Sequence, residues 1–196
     1  MSLRRFCLSV AMLWLLAGCT AAPATRLYLL RSLDAPAEKS TLAGRPVLIV
    51  IGEVRVPQYL DRPQIVTRGT GDRLVINEYA HWGSSFRDEM SRVLGENLEV
   101  LLAGTRVMTA PVPRNIRPEL QIELEVTHFE RALDGQVRLS ARWWISPGEG
   151  KTPLTGEASL NARPAGEGDE ALVAAMGAVY GELARAVAAT VRQVVP

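Results

Sequence analysis

Leu120-Gln121-Ile122-Glu123-Leu124-Glu125-Val126-Thr127 alternates apolar and polar residues, and after Asp134-Gly135 the alternation returns as Val137-Arg138-Leu139-Ser140-Ala141-Arg142-Trp143-Trp144-Ile145. A period of two places every second side chain on one face of a strand. Asp-Gly is the turn chemistry of a tight hairpin. These residues therefore predict a long hairpin with one buried face. A third strand over 154–162 extends it as a meander after a loop at 146–151.

Working back toward the N-terminus, 47–56 reads VLIVIGEVRV, a β-branched run predicted to be buried in its first half and alternating in its second. Gly52 is a candidate bulge and Pro57 ends the strand. Segments 64–68 and 74–78 flank Gly69-Thr70-Gly71-Asp72, a second hairpin, and 27–30 reads as a short first strand before a polar loop at 35–44.

Two stretches change period. Phe86, Met90, Val93, Leu94, Leu98, Leu101 and Leu102 recur at three and four residues, the stripe of an amphipathic helix. Ser85 and Asp88 stand at capping-box spacing before it, and Gly104 is placed to end it. A short strand at 106–109 and a proline-rich loop at 111–118 follow. Near the C-terminus, Asp169 is read as the cap of an alanine-rich helix reaching about Val194, striped by Leu172, Met176, Val179, Leu183, Val187 and Val191. The predicted fold is α+β: a single mixed or antiparallel sheet, with the hairpin and meander, covered by two amphipathic helices.

The N-terminus has its own pattern. Arg4 and Arg5 precede an apolar run from Phe6 to about Leu16, and Leu16-Ala17-Gly18-Cys19 closes it. The run is far shorter than the roughly 20 residues needed to span a bilayer, and reads as a lipoprotein signal peptide. Cleavage between Gly18 and Cys19 assigns 1–18 to the signal, 19–25 to a lipidated tether and 26–196 to one domain. Cys19 is then the lipidation site, carrying a covalent diacylglycerol and an N-acyl chain such as palmitate. Several acyl chains give stable anchoring where one gives marginal binding. Thr20 follows the cysteine where aspartate favours inner-membrane retention, so the expected location is the outer membrane, facing the periplasm.

Removal of the first 18 of 196 residues takes Arg4, Arg5 and Cys7 with it, leaving 20 of the 22 basic side chains against 21 acidic ones. A chain so near neutrality lacks the basic footprint of a nucleic-acid binder. With Cys19 occupied by lipid, no thiol pair remains for a disulfide.

The motifs of catalysis are missing. His81 and His128 are the only histidines, neither in a metal-ligand spacing, and no nucleophile elbow or phosphate-binding glycine loop occurs. Glu123 and Glu125 share a strand face with Gln121 and Thr127, the pattern of a solvated sheet surface. The expectation is a non-enzyme without metal or further cofactor.

Three features are candidate partner surfaces. Trp143 and Trp144 are adjacent on a strand, so one faces the core and Trp144 the other side; an interface anchor and a second core layer both fit. Tyr59-Leu60-Asp61-Arg62-Pro63, with Gln64 after it, combines an aromatic, an aliphatic and both charges. An interface loop and a salt-bridged turn both explain it. Tyr79 and Trp82 are read as packing the start of the first helix.

Taken in order, 54–68 (VRVPQYLDRPQIVTR), Trp82 and 92–98 (RVLGENL), with Leu27-Tyr28-Leu29-Leu30 and Ala141-Arg142-Trp143, resemble the ABC-transport auxiliary lipoproteins. Residues 59–68 are the most specific part, whereas Trp82-Gly83-Ser84-Ser85 departs from the Trp-Ala-Glu-Pro-like stretch of relatives. The resemblance implies a lipid-anchored subunit of an MCE-type system moving lipids between membranes. Its implied partners are a periplasmic tunnel protein docked at the outer membrane, an inner-membrane permease, and further copies of itself in a homo-oligomeric ring. An envelope assembly lipoprotein serving a different complex is the competing reading, and an anchored hydrolase is a third.

Overall fold

The computed structural model describes residues 23–34, 46–148 and 152–194. Its elements, in chain order, are β1 (Arg26–Tyr28), β2 (Val47–Arg55), β3 (Gln64–Arg68), β4 (Leu74–Trp82), α1 (Phe86–Leu101), β5 (Thr105–Thr109), β6 (Leu120–Arg131), β7 (Val137–Pro147), β8 (Leu154–Ala162) and α2 (Asp169–Val191). The eight strands form one mixed sheet, and both helices pack on the same sheet and on each other. The architecture is α+β, as the sequence patterning predicts.

The hairpin is the spine. β6 and β7 pair antiparallel from Leu120 opposite Pro147 to Arg131 opposite Val137, and β8 continues the meander along β7. β6 runs four residues beyond its regular alternation, because the register shifts between Val126 and His128. The extra residue leaves Thr127 and His128 both exposed and returns Phe129 to the core.

Along the other side of β6 lie two strands end to end. β2 pairs parallel with residues 120–125, β3 touches β6 at Thr67 opposite Arg131, and the loop at 56–63 lies between them. β5 flanks β2 in parallel, β4 flanks β3 antiparallel, and β1 adds in parallel at Ala80–Trp82. The register of β2 shifts between Ile51 and Val54, at the expected bulge around Gly52.

α1 covers β2 and β5, and α2 covers β7 and β8. Between them runs an aromatic series: Trp82 stacks on Phe86 at 4.8 Å, Phe86 meets Phe129 at 5.7 Å and Phe129 meets Tyr180 at 5.8 Å. The Tyr180 hydroxyl donates to the Met90 carbonyl at 2.8 Å, tying α2 to α1. Such ring pairs stabilise by about 1 kcal/mol beyond the area they bury. By length and composition α2 is apolar enough to cross a membrane, but two-thirds of that stretch (67%) is buried inside this fold.

Several boundaries differ from expectation. The first strand ends at Tyr28, and the Leu30 amide leaves the sheet for Glu89 of α1. β4 extends through Trp82, so Tyr79 is an exposed strand residue. Ser85 is the N-cap of α1 without a side-chain cap bond, and no capping box with Asp88 forms; instead Ser84 Oγ donates to Glu89. Gly168, at φ +91°, is the N-cap of α2. Asp169 is displaced into the first turn, where it accepts from Arg26 and Asn77 at 2.8 and 3.0 Å. The expected loop at 35–44, part of that at 146–151, and the signal segment with Gly18 and Cys19 lie outside the described residues.

β8 reaches β7 closely because Gly156 sits on the Trp143 ring: a Cβ there would fall 2.3 Å from it. Gly156→Ala is expected to lower unfolding free energy by about 2 kcal/mol through overpacking. Gly148→Ala, with nothing within 4 Å of its added carbon, is expected to be near neutral in the same urea titration.

Candidate interaction surface

The loop at 56–63 crosses β6 where β6 bulges. Glu130 follows core-facing Phe129 and pairs with exposed Arg138, so it points to the face away from the helices, yet beneath this loop it is only 2% exposed. A carboxylate removed from water needs compensating donors, and three converge on it. Arg68 Nε donates to Oε1 at 2.8 Å, the Tyr59 hydroxyl to Oε2 at 2.9 Å, and the Phe129 amide to Oε2 at 2.8 Å. The Arg68 guanidinium also lies over the Tyr59 ring, 5.7 Å from its centroid. Tyr59 and Arg68, the two ends of the most distinctive segment of the sequence, thus meet on one buried carboxylate.

That clasp fixes what the loop shows. Leu60 is 4% exposed and belongs to the core, which removes it from the candidate contact residues. Asp61 is exposed and pairs with Arg87 of α1 rather than with neighbouring Arg62. Arg62 is half-buried and Pro63 exposed; the Pro63 carbonyl accepts from the Trp82 amide at 2.7 Å, and Gln64 donates to Glu78 at 3.2 Å. Asp61, Arg62 and Pro63 are the outward part of the loop.

Trp143 and Trp144 do point to opposite faces. Trp143 is buried and its indole donates to Thr190 Oγ1 at 3.2 Å. Trp144 is half-buried on the face away from the helices, with the Arg55 guanidinium 5.5 Å from its ring. Around it Glu123 and Glu125 of β6, Arg142 of β7 and Glu157 of β8 occupy adjacent register positions. Arg142 and Glu157 approach to 3.5 Å, both largely exposed, so this ion pair adds little stability. The surface is polar and crossed by charges of both signs.

A second clasp holds the N-terminal segment. The Leu30 amide donates to Glu89 Oε1 at 2.8 Å and the Leu33 amide to Asn97 Oδ1 at 2.7 Å. Glu89 is 2% exposed and also receives Ser84 and Arg92; its hydrogen bonds hold the Arg92 guanidinium above its ordinary basicity. On the other side α2 presents Gly177 and Gly181, where a Cβ would come 3.2 Å from the Arg31 carbonyl and 2.6 Å from the Leu33 side chain. Residues 29–33 are thereby strapped between the helices. Neither Glu130 nor Glu89 stood out in the sequence search; the lapse of alternation at Thr127-His128 was the signal for the first.

Among the described residues no cluster of three or more metal-ligating side chains occurs. Glu130→Ala leaves Arg68 and the Phe129 amide without their acceptor, and is expected to destabilise by about 3 kcal/mol in chemical denaturation. Burial, with the Glu130 charge beside it, pushes the Tyr59 hydroxyl up to about 12 from 10.0. The folded state then holds a proton that the unfolded state releases, so this contribution is intact below pH 10 and is lost as pH rises toward 12. Tyr59→Phe is expected to reduce the alkaline fall in stability over that interval without abolishing it, since burial raises Tyr28 and Tyr180 in the same direction.

Solved structures share this fold. A crystal structure of an uncharacterized protein matches with a TM-score of 0.71 at 19% identity, covering 86% of this chain and 99% of that one. One from Xanthomonas campestris matches at 0.68 and 14% identity, covering 86% and 98%; both likenesses speak for the fold. In sequence, the chain is 25% identical over 144 residues to the intermembrane transport lipoprotein PqiC of Escherichia coli (strain K12), across 74% of this chain and 75% of that protein. The PqiC of Shigella flexneri matches to the same extent. The model of the family described as ABC-type transport auxiliary lipoprotein component matches residues 28–188, spanning the strap, both clasps, α1 and most of α2. The chain belongs to the ABC-type transport auxiliary lipoprotein family.

Proposed function

We propose that the protein is a lipid-anchored, non-catalytic subunit of an ABC-linked, MCE-type system that transports lipids between membranes. Residues 1–18 are its signal peptide, Cys19 carries the diacylglycerol and N-acyl chains, 19–25 form the tether, and 26–196 form one domain facing the periplasm from the outer membrane. The family match over 28–188 carries this reading, and the relatives' name, intermembrane transport lipoprotein, supports it.

In this role the domain is an adaptor that docks a periplasmic tunnel protein, linked to an inner-membrane permease, and does so as a homo-oligomeric ring. Asp61, Arg62 and Pro63, presented by a loop whose Tyr59 and Leu60 are bound inward, suit a contact with fixed geometry. Trp144, with the Arg55 guanidinium near its ring, is the candidate anchor of the open face; aromatic and arginine side chains are favoured at interface centres.

Affinity purification of the intact lipoprotein from detergent-solubilised envelopes is expected to recover the tunnel protein and permease. The double charge reversal Asp61→Lys, Arg62→Glu is expected to abolish that recovery while leaving thermal unfolding nearly unchanged, because the Asp61–Arg87 pair is partly exposed. Recovery of envelope proteins unrelated to transport would favour an assembly lipoprotein instead. Unchanged recovery with the reversed charges would remove the loop from the docking surface.

A further inference from the structure

The way β1 joins the sheet determines which end of the domain its tether approaches. β1 runs parallel to β4, with Arg26 opposite Ala80, so β1 enters the sheet from the side of the β3–β4 turn. Cys19 lies seven residues before Arg26, and Arg73, in that turn, lies seven before Ala80. Fully extended, seven residues reach about 25 Å, while seven residues of strand occupy about 23 Å. A tether of that length is therefore long enough to reach the level of the turn.

Exposed aliphatic side chains gather at the same end. Leu74, Val75 and Ile76 are consecutive and all exposed, Val75 at 52%. Among the described residues β1 pairs with β4 only at Ala80–Trp82, so no strand flanks the outer edge of β4 over 74–79. β3 is parallel to β6 with Thr67 opposite Arg131. The β6–β7 turn therefore lies at this same end, and it carries Leu133, 64% exposed. An apolar strand edge left in water invites association.

Resting on the lipidation of Cys19 proposed above, we propose that this end of the domain, Leu74, Val75 and Ile76 with Leu133, sits in the headgroup region of the bilayer that holds the anchor. The occupant is a phospholipid surface. The anchor and the aliphatic edge then fix the domain by two separated points, which sets its tilt on the membrane and so the direction in which the 56–63 loop faces.

The test uses the full lipidated protein in vesicles of phosphatidylethanolamine and phosphatidylglycerol. Its one mature cysteine is blocked by lipid, so a polarity-sensitive dye can be placed singly through Val75→Cys, Leu133→Cys or, on β8 far from this end, Thr155→Cys. Interfacial side chains enter roughly 5–10 Å into the headgroup boundary, so quenching by lipid-borne quenchers is expected to be at least about twofold greater at 75 and 133 than at 155. Equal quenching at all three positions in protein that floats with the vesicles overturns the contact and leaves the anchor standing. Protein that fails to float overturns the anchor and the contact together. A blue shift at 75 that grows with protein concentration without vesicles assigns the edge to a second copy, and likewise overturns the proposal.

Discussion

A carboxylate taken out of water must be given donors, and Glu130 draws its own from three separate parts of the chain. Arg68 is the last residue of β3, Tyr59 comes from the loop between β2 and β3, and the Phe129 amide follows the register shift in β6 itself. The bulge turns Phe129 into the core and Glu130 to the opposite face, where the loop between β2 and β3 brings Tyr59 over it. Strand break and bulge are therefore complementary, and each loses its reason without the other. Breaking such a buried group from its partners costs more than forming the pair gains, which favours one loop conformation over its alternatives.

The same solution recurs at the helices. Glu89 and Asn97, both buried on α1, accept backbone amides of Leu30 and Leu33 that have left strand β1 and have no ladder to join. Gly177 and Gly181 on α2 supply the space. The segment that links the tether to the domain is thus bound to both helices and, through β1, to the sheet. In the proposed role, a pull on the anchor is borne by the core rather than by a loose terminus, and the stretches 27–30, 59–68 and 92–98 that resemble the family contribute Leu30, Tyr59, Arg68 and Asn97 to these two clasps.

Much of this was legible in the sequence, and the failures have physical causes. The β6–β7–β8 meander and both helical stripes follow from periodicity, because burial on one face imposes it. The bulge near Gly52 was readable from a glycine within a β-branched run. Glu89 and Asn97 were hidden among the polar residues of α1, since period alone cannot distinguish a solvated acceptor from one buried against a crossing strand. Asp169 looked like a cap because acidic residues favour helix starts; its bonds to Arg26 and Asn77 depend on strands more than ninety residues away. Leu60 looked available to a partner because its neighbours are charged, but its side chain is buried in the core. The outward orientation of Trp144 was fixed by alternation once Trp143 was assigned inside.

Residue-resolved amide hydrogen exchange tests most directly whether buried side chains, rather than ladder pairing, hold the irregular segments. Leu30, Leu33 and Phe129 donate their amides to Glu89, Asn97 and Glu130. The account predicts that these three amides exchange as slowly as those of the central β6–β7 ladder, because they open only when the core opens. Exchange at the rate of exposed turn amides such as Gly71 would contradict it.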